Sequence, residues 1–327
     1  MTFKSNWETT DQQFQVSAQT IKAMVALALP KAKVASHKII SAGCANLNIK
    51  INLINELHPF ILRIYIRDKG AAFREQKLAA LIKPSVPIPE IYFVGDEDDF
   101  RFAITEYMPG ISLRDLLLKH SKNNIQNIMY QAGQTLASIQ MYQFPKAGFF
   151  DADLKVSHPL TKQSYITFAR ECLTHSTVVE KMGEETINKI TSLLEKHGSL
   201  FPDENQTHLV HADYDPANIL VDKIEGQWKI TAILDWEFAH SGSTLSDIAN
   251  MLRYAHHMLP IFENSFLQGL QQSGVILPEN WRYRIDLLNL LSLLNCLVRC
   301  SPKEHPNRCA DICDLISKIL PNLQNRS

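Results

Sequence analysis

The chain has 327 residues, 45% of them hydrophobic and 20% charged, with 33 basic against 34 acidic side chains and a formal net charge of −1. That length exceeds the usual single-domain size, so two units are expected. The composition excludes a disordered, collagen-like or low-complexity chain. The charge balance excludes a protein built to coat nucleic acid or an anionic membrane.

The first eleven residues contain no basic stretch leading into an apolar run, so no secretory signal is expected. Six cysteines without a Cys-x-x-Cys are sparse for this length, and reduced thiols in a cytoplasmic protein are the expectation. Residues 12–29 carry Phe14, Val16, Ile21, Met24, Val25 and Leu29 at near-helical spacing and end at Pro30. The period then falls to two. Leu47, Ile49, Ile51 and Leu53 alternate with Asn46, Asn48, Lys50 and Asn52, which predicts a half-buried strand. A second strand is expected over 60–66 and a helix over 71–82, closed by Pro84, Pro87 and Pro89. Strands at 91–94 and 102–106 then flank an acidic turn at 96–99. This order makes a small antiparallel α+β unit with one helix packed on it.

After Met108-Pro109-Gly110 the pattern turns helical, over 112–120, 125–141, 161–172 and 184–197. A β-rich insert follows at 208–235, and helices resume from 245, so the expected division is 1–107 and 108–327. The apolar run 285–298 is interrupted by Asp286, Asn289, Ser292 and Asn295 and reads as a core helix, too short and polar for a membrane span. Cys296/Cys300 and Cys309/Cys313 each stand one helical turn apart. Buried thiols are the favoured reading over a four-thiolate metal site, which normally uses tighter spacing.

The segment that carries chemistry is His211-Ala212-Asp213-Tyr214-Asp215-Pro216-Ala217-Asn218, followed by the apolar run Ile219-Leu220-Val221. Asp235 stands 22 positions after Asp213, at the end of an apolar segment and ahead of Trp236-Glu237. Phosphoryl transfer from a nucleotide needs a carboxylate that orients the attacking hydroxyl and takes its proton, and oxygen ligands for Mg²⁺ at the phosphates. Asp213 fits the first role; Asn218 and Asp235 fit the second.

These motifs resemble those of the aminoglycoside phosphotransferase and choline kinase group, small-molecule kinases with the protein-kinase-like fold. The group carries His-Gly-Asp-x-x-x-x-Asn followed by an apolar-Asp-Trp/Phe segment, matched at 211–218 and 234–237, with Ala212 where Gly is usual. The resemblance runs over about 39–254. It implies an antiparallel-sheet N-terminal lobe, a larger helical C-terminal lobe, and ATP or GTP bound between them with Mg²⁺. It further implies a nucleotide loop around Gly43, and a phosphate contact from Arg63 held by Glu75 on the following helix. The base would be read by the backbone of Glu106 and Met108 and sandwiched by Ile61, Leu220 and Leu234. His211 and Asp247 would brace the catalytic loop.

The acceptor stays open among antibiotics, sugars and amino alcohols, because no acidic cluster stands out after residue 241. Two alternatives remain. A pseudokinase would have lost Asp213, Asn218 or Asp235, and none is lost. A protein kinase would show an Ala-Pro-Glu-type segment and Asp-Phe-Gly, and here Asp235-Trp236-Glu237 stands instead.

Overall fold

The computed structural model describes residues 3–8, 16–42, 46–119 and 125–324. The two-residue alternation noted in the sequence builds a five-stranded antiparallel sheet from β1 (Val34–Ala42), β2 (Asn46–Leu53), β3 (Phe60–Tyr65), β4 (Ile91–Glu97) and β5 (Phe100–Glu106), in the order β1-β2-β3-β5-β4. Leu47, Ile49, Ile51, Leu62, Ile64, Phe102 and Ile104 point to one face. They meet Ile21, Met24 and Val25 of helix α1 (Ala18–Ala28), whose first turn is capped by the Ser17 hydroxyl. Helix α2 (Ala71–Ile82) covers the opposite face through Ala71 and Ala72, packed on Tyr65 and Ala103. Because side chains alternate along β3, burying Leu62 and Ile64 under α1 sends Ile61, Arg63 and Tyr65 to the other face.

Two features differ from the sequence expectation. Helices cover both faces of the sheet. Strand β1 was not expected because residues 34–42 lack apolar alternation; Ile39 and Ile40 are both about half exposed on this edge strand.

The C-terminal lobe contains helices α3 (Leu113–Lys119), α4 (Ile125–Gln140), α5 (Lys162–Thr174), α6 (Ser176–His197), α7 (Leu245–Leu252), α8 (Pro260–Gln272), α9 (Trp281–Val298) and α10 (Pro306–Gln324). α6 begins eight residues earlier than expected and breaks at Gly183, whose φ of 72° hid the first turns from a helical reading. α9 is a core helix with ten buried residues. α4 and α8 cross at two glycines: a Cβ on Gly133 would lie 2.1 Å from the Phe266 carbonyl oxygen, and one on Gly269 2.1 Å from that of Tyr130. Only glycine permits this approach.

Two small sheets finish the lobe. One joins β6 (Ile111–Ser112), β10 (Ile219–Ile224) and β11 (Gln227–Ile233); the other joins β8 (Val156–Pro159), β7 (Gly148–Phe150), β12 (His240–Gly242) and β9 (His208–Val210). Residues 3–8, although first in the chain, pack against the C-terminal lobe. Among the described residues no helix is long and apolar enough to cross a membrane.

Candidate active site

Strand β9 ends at Val210 and β10 begins at Ile219, so residues 211–218 form the loop between them. Ala212 lies in the left-handed region, φ 69°, where a side chain is disfavoured. Asp247, buried in the first turn of α7, holds it there: its two carboxylate oxygens accept the backbone N–H groups of His211 and Ala212, both at 2.8 Å. Asn250, one turn on, donates to the Ala212 carbonyl at 2.8 Å and is itself bonded by the buried Arg253 at 2.6 Å. Burial pushes the Asp247 carboxyl up to about 7, against the pull of the two backbone donors.

The His211 ring is fully buried, and burial lowers its basicity, so the neutral imidazole is favoured. Nδ1 faces the Asp213 N–H at 3.2 Å and Nε2 the Leu234 carbonyl at 2.9 Å. An acceptor at Nδ1 requires the proton on Nε2, which donates to Leu234. This histidine therefore fastens the loop to the segment bearing Asp235 and has no free nitrogen for proton transfer. The Leu234 N–H donates to the Asn218 carbonyl at 2.8 Å, a second tie between the same segments.

Asp213 accepts the Asn218 side-chain N–H on one carboxylate oxygen at 2.9 Å, and the same amide nitrogen donates to the Asp213 carbonyl at 3.0 Å. The amide oxygen of Asn218 is thereby turned away from Asp213. Asp235 also has a positive φ, 67°, a conformation aspartate tolerates better than most residues. One of its oxygens accepts from Arg63 at 2.6 Å, and the same guanidinium nitrogen reaches Glu75 at 3.0 Å. Tyr65 donates to the other Glu75 oxygen at 2.6 Å. Burial pushes the Glu75 carboxyl up, with Arg63 opposing. The Arg63 Nε is buried without a hydrogen-bond partner, which fits a cation still owed an anionic ligand such as a phosphate.

The neighbouring Glu237 binds the lobes together. It accepts from Asn46 on β2 and from Arg67, each at 2.9 Å, and its carbonyl accepts from Arg74 of α2 at 3.0 Å. Burial, with Asp235 alongside, pushes its carboxyl up to about 7.

Ile61 on β3, Leu220 on β10 and Leu234 just past β11 are half-buried, unlike the buried neighbours Leu62, Ile219 and Ile233. Glu106 ends β5, where its N–H is taken by the Glu90 carbonyl at 2.8 Å, and Met108 follows in the connector. Gly110 takes φ 119° so that its backbone can approach Val221, where a Cβ would meet the carbonyl oxygen at 2.5 Å. Gly43 lies outside the described residues. Sequence reading missed Asn46, Tyr65, Asp215, Glu237, Asn250 and Arg253. It also missed Lys4, whose ammonium bonds Asp213 at 3.2 Å and pairs with Asp215. Asn46 stands in the alternation of β2 only as one of its polar positions, and no spacing marks any of these residues as part of a site.

The donor set fits Mg²⁺: an amide oxygen from Asn218 and a carboxylate from Asp235 are hard oxygen ligands, and two protein ligands suit an ion that keeps several waters. The C-terminal cysteines are free thiols, with Cys296 and Cys313 half-buried. Cys300 and Cys309 are buried, and burial raises the Cys300 thiol up to about 12, as for a core thiol in an apolar setting. Among the described residues no group of three or more His, Cys, Asp or Glu side chains is arranged to hold a metal ion.

Residues 36–282 match the phosphotransferase enzyme family. Among curated proteins the chain is similar to acyl-CoA dehydrogenase family member 11 of Gallus gallus, 22% identical over 228 residues that make up 68% of this chain and 26% of that protein. The chain thus spans about a quarter of that relative's length. Among solved structures it resembles aminoglycoside phosphotransferase APH(4)-Ia, at TM-score 0.72 and 16% identity over 93% of this chain and 99% of that one. A thermostable mutant of APH(4)-Ia in ternary complex with ADP and hygromycin B superposes at TM-score 0.71, 17% identity, over 92% and 98%. The GDP complex of aminoglycoside 2'-phosphotransferase-IIIa gives 0.73 at 15% identity, over 94% and 99%. By this match and by its two-lobed, protein-kinase-like fold, the chain belongs to the phosphotransferase enzyme family.

Proposed function

We propose that this small-molecule kinase transfers the γ-phosphate of ATP or GTP to a hydroxyl of a small acceptor, with Asp213 as the catalytic carboxylate. The observation that carries the reading is the convergence of Asp213, Asn218 and Asp235, tied to one another through Leu234 and His211, opposite Arg63 from the other lobe. Nucleotide complexes of the structural neighbours, with ADP in one case and GDP in another, support a nucleotide in the cleft. The lobe boundary is proposed at 107/108, where the connector would present the Glu106 carbonyl and Met108 N–H to the base, with Ile61, Leu220 and Leu234 against its faces. Gly43 belongs to the loop proposed over the phosphates. A cytoplasmic location, where ATP and GTP are at hand, completes the reading.

Asp213 would accept the proton of the acceptor hydroxyl as its oxygen bonds to the γ-phosphorus, while the bond from that phosphorus to the β,γ-bridging oxygen breaks and its electrons leave with the nucleoside diphosphate. Arg63, fixed by Glu75, would hold the α- and β-phosphates through its guanidinium. Asn218 and Asp235 would hold Mg²⁺, which neutralises phosphate charge when bound. His211, Asp247 and Asn250 keep the loop in the conformation that aims Asp213.

The test is a phosphate-transfer screen of hydroxylated metabolites and antibiotics, with Asp213→Asn as control. The variant should bind nucleotide as the wild type does and lose transfer by about 10²-fold or more. Wild-type transfer rates in Asp213→Asn would refute the mechanism. Labelled protein bands in a lysate would favour a protein kinase, and binding without turnover on any acceptor a pseudokinase.

A further inference from the structure

Residues 3–8 lie beside the catalytic loop and are anchored at both ends. Phe3, 2% exposed, packs its ring 5.3 Å from that of Tyr254 and 6.2 Å from that of Phe262. Trp7 donates its indole N–H to Asp311 at 2.8 Å under the Arg308 guanidinium, 4.9 Å from the ring centroid. Glu8 accepts the backbone N–H groups of Asn307 and Arg308, at 2.7 and 3.2 Å, in the first turn of α10. Between the anchors the Trp7 N–H closes a turn onto the Lys4 carbonyl at 3.2 Å.

Phe3 and Lys4 both take left-handed backbone angles, φ 41° and 64°. Two strained residues in a row persist only where surrounding contacts over-determine them, a pattern concentrated at functional sites and switches. The strain here serves to aim one side chain. The Lys4 ammonium lies 3.2 Å from the Asp213 oxygen that Asn218 does not use, and against Asp215, whose other oxygen is held by the Ala217 N–H at 2.8 Å. The Lys4 and Asp215 side chains are 17% and 7% exposed. Burial alone would lower the basicity of Lys4, and nearby Arg253 acts in the same direction; Asp213 and Asp215 more than reverse both, so the ammonium stays charged.

We infer that Asp213 and Asp215 form a binding site for a primary ammonium group, and that the chain's own Lys4 fills it as an internal ligand that keeps an acceptor out. Asn218 takes one Asp213 oxygen and the Lys4 ammonium covers the other, so an acceptor hydroxyl meets a crowded and already neutralised carboxylate until Lys4 leaves. Its departure exposes two neighbouring carboxylates to each other, so a cationic replacement is favoured over a neutral one. The consequence for catalysis rests on the phosphotransferase reading above; the ammonium site itself does not.

The test uses the full chain with Mg-ATP or Mg-GTP and water as phosphate acceptor. Lys4→Met and Lys4→Ala should hydrolyse nucleotide about tenfold faster than wild type, since an internal ligand lowers activity by the fraction of molecules it blocks. In Lys4→Ala, millimolar n-butylammonium, with three N–H donors, should restore the slow rate, and tetramethylammonium, with none, should not. Measurable hydrolysis that is unchanged in both variants, or equal effects of the two cations, overturns the inference.

A second readout needs no turnover. In the wild-type chain Lys4 should react with acetic anhydride about tenfold more slowly than Lys119, whose side chain is 69% exposed, and Asp215→Asn should quicken it. Labelling of Lys4 as fast as Lys119 overturns the site whatever the hydrolysis. If no variant hydrolyses nucleotide and the acceptor screen finds no transfer, yet Lys4 is protected as expected, the phosphotransferase reading fails and the ammonium site stands.

Discussion

Replacing Ala212 with glycine should stabilise this protein, and replacing it with valine should destabilise it. Ala212 has φ 69°, a conformation that costs an L-residue about 1–2 kcal/mol and glycine nothing. Glycine loses more chain entropy on folding, which offsets about 0.4–1 kcal/mol of that gain. The net expectation for Ala212→Gly is about 0.5–1 kcal/mol of stabilisation, a rise in the thermal midpoint of about 1–3 °C for a chain of this size. Valine adds branching at a backbone angle it rarely adopts and should cost about 1–3 kcal/mol. The strain is tolerated because two hydrogen bonds hold the residue, its N–H to the Asp247 carboxylate and its carbonyl from Asn250, while the other Asp247 oxygen fixes the preceding His211 N–H; bonds to a charged group contribute about 1.5–3 kcal/mol each. Thermal unfolding of the three proteins side by side, with nucleotide hydrolysis as a check on the loop, measures the series. A glycine variant less stable than wild type, or valine equal to alanine, would show that the left-handed backbone at 212 is not what limits the residue there.

Other expectations concern residues away from the proton transfer. Glu75→Ala leaves Arg63 with Asp235 alone and the Tyr65 hydroxyl unpaired, and should cost about 3–5 kcal/mol. Glu75→Gln keeps one acceptor and should cost about half as much; equal thermal midpoints for the two would contradict the pairing. Gly133→Ala places a methyl 2.1 Å from a backbone oxygen of α8, where no side chain can move aside, and should cost about 3 kcal/mol despite the better helix propensity of alanine. A midpoint within 1 °C of wild type, on a scale of about 2–4 °C per kcal/mol, would contradict the close crossing. Burial lowers His240 from its ordinary 6.5 to about 4, so the unfolded chain takes up a proton that the folded one refuses between those values. That contribution is fully present above about pH 6.5, and roughly 3 kcal/mol of it is lost as the pH falls to about 4. Subtracting the stability-pH curve of His240→Phe from that of wild type should reveal this slope; parallel curves would refute it.

The sheet and most helices were legible because they bury one face at a regular period. Leu47, Ile49, Ile51 and Leu53 announce β2 by alternation alone. Strand β1 was not legible, since Ile39 and Ile40 lie together on an exposed edge, and α6 was half hidden by the break at Gly183. In the site, Asp213, Asn218 and Asp235 stood out because their spacing matches a chemistry. Their supports did not: Asn250 on α7 and Arg253 just past its end are ordinary residues until folding brings α7 under the loop. Lys4 lies 209 positions from Asp213, and nothing local in the sequence joins them. Pairings set by tertiary closure leave no periodic trace.

The contacts gathered on residues 235–237 have a mechanical consequence. Arg63, Asn46, Arg67 and Arg74 all reach across from the N-terminal lobe to this one short segment, whose first residue is the carboxylate proposed to hold Mg²⁺. The latch between the lobes and the aim of Asp235 are therefore the same set of bonds. A substitution that loosened the latch to speed nucleotide exchange would also slacken Asp235, so turnover and aim cannot be tuned independently in this molecule.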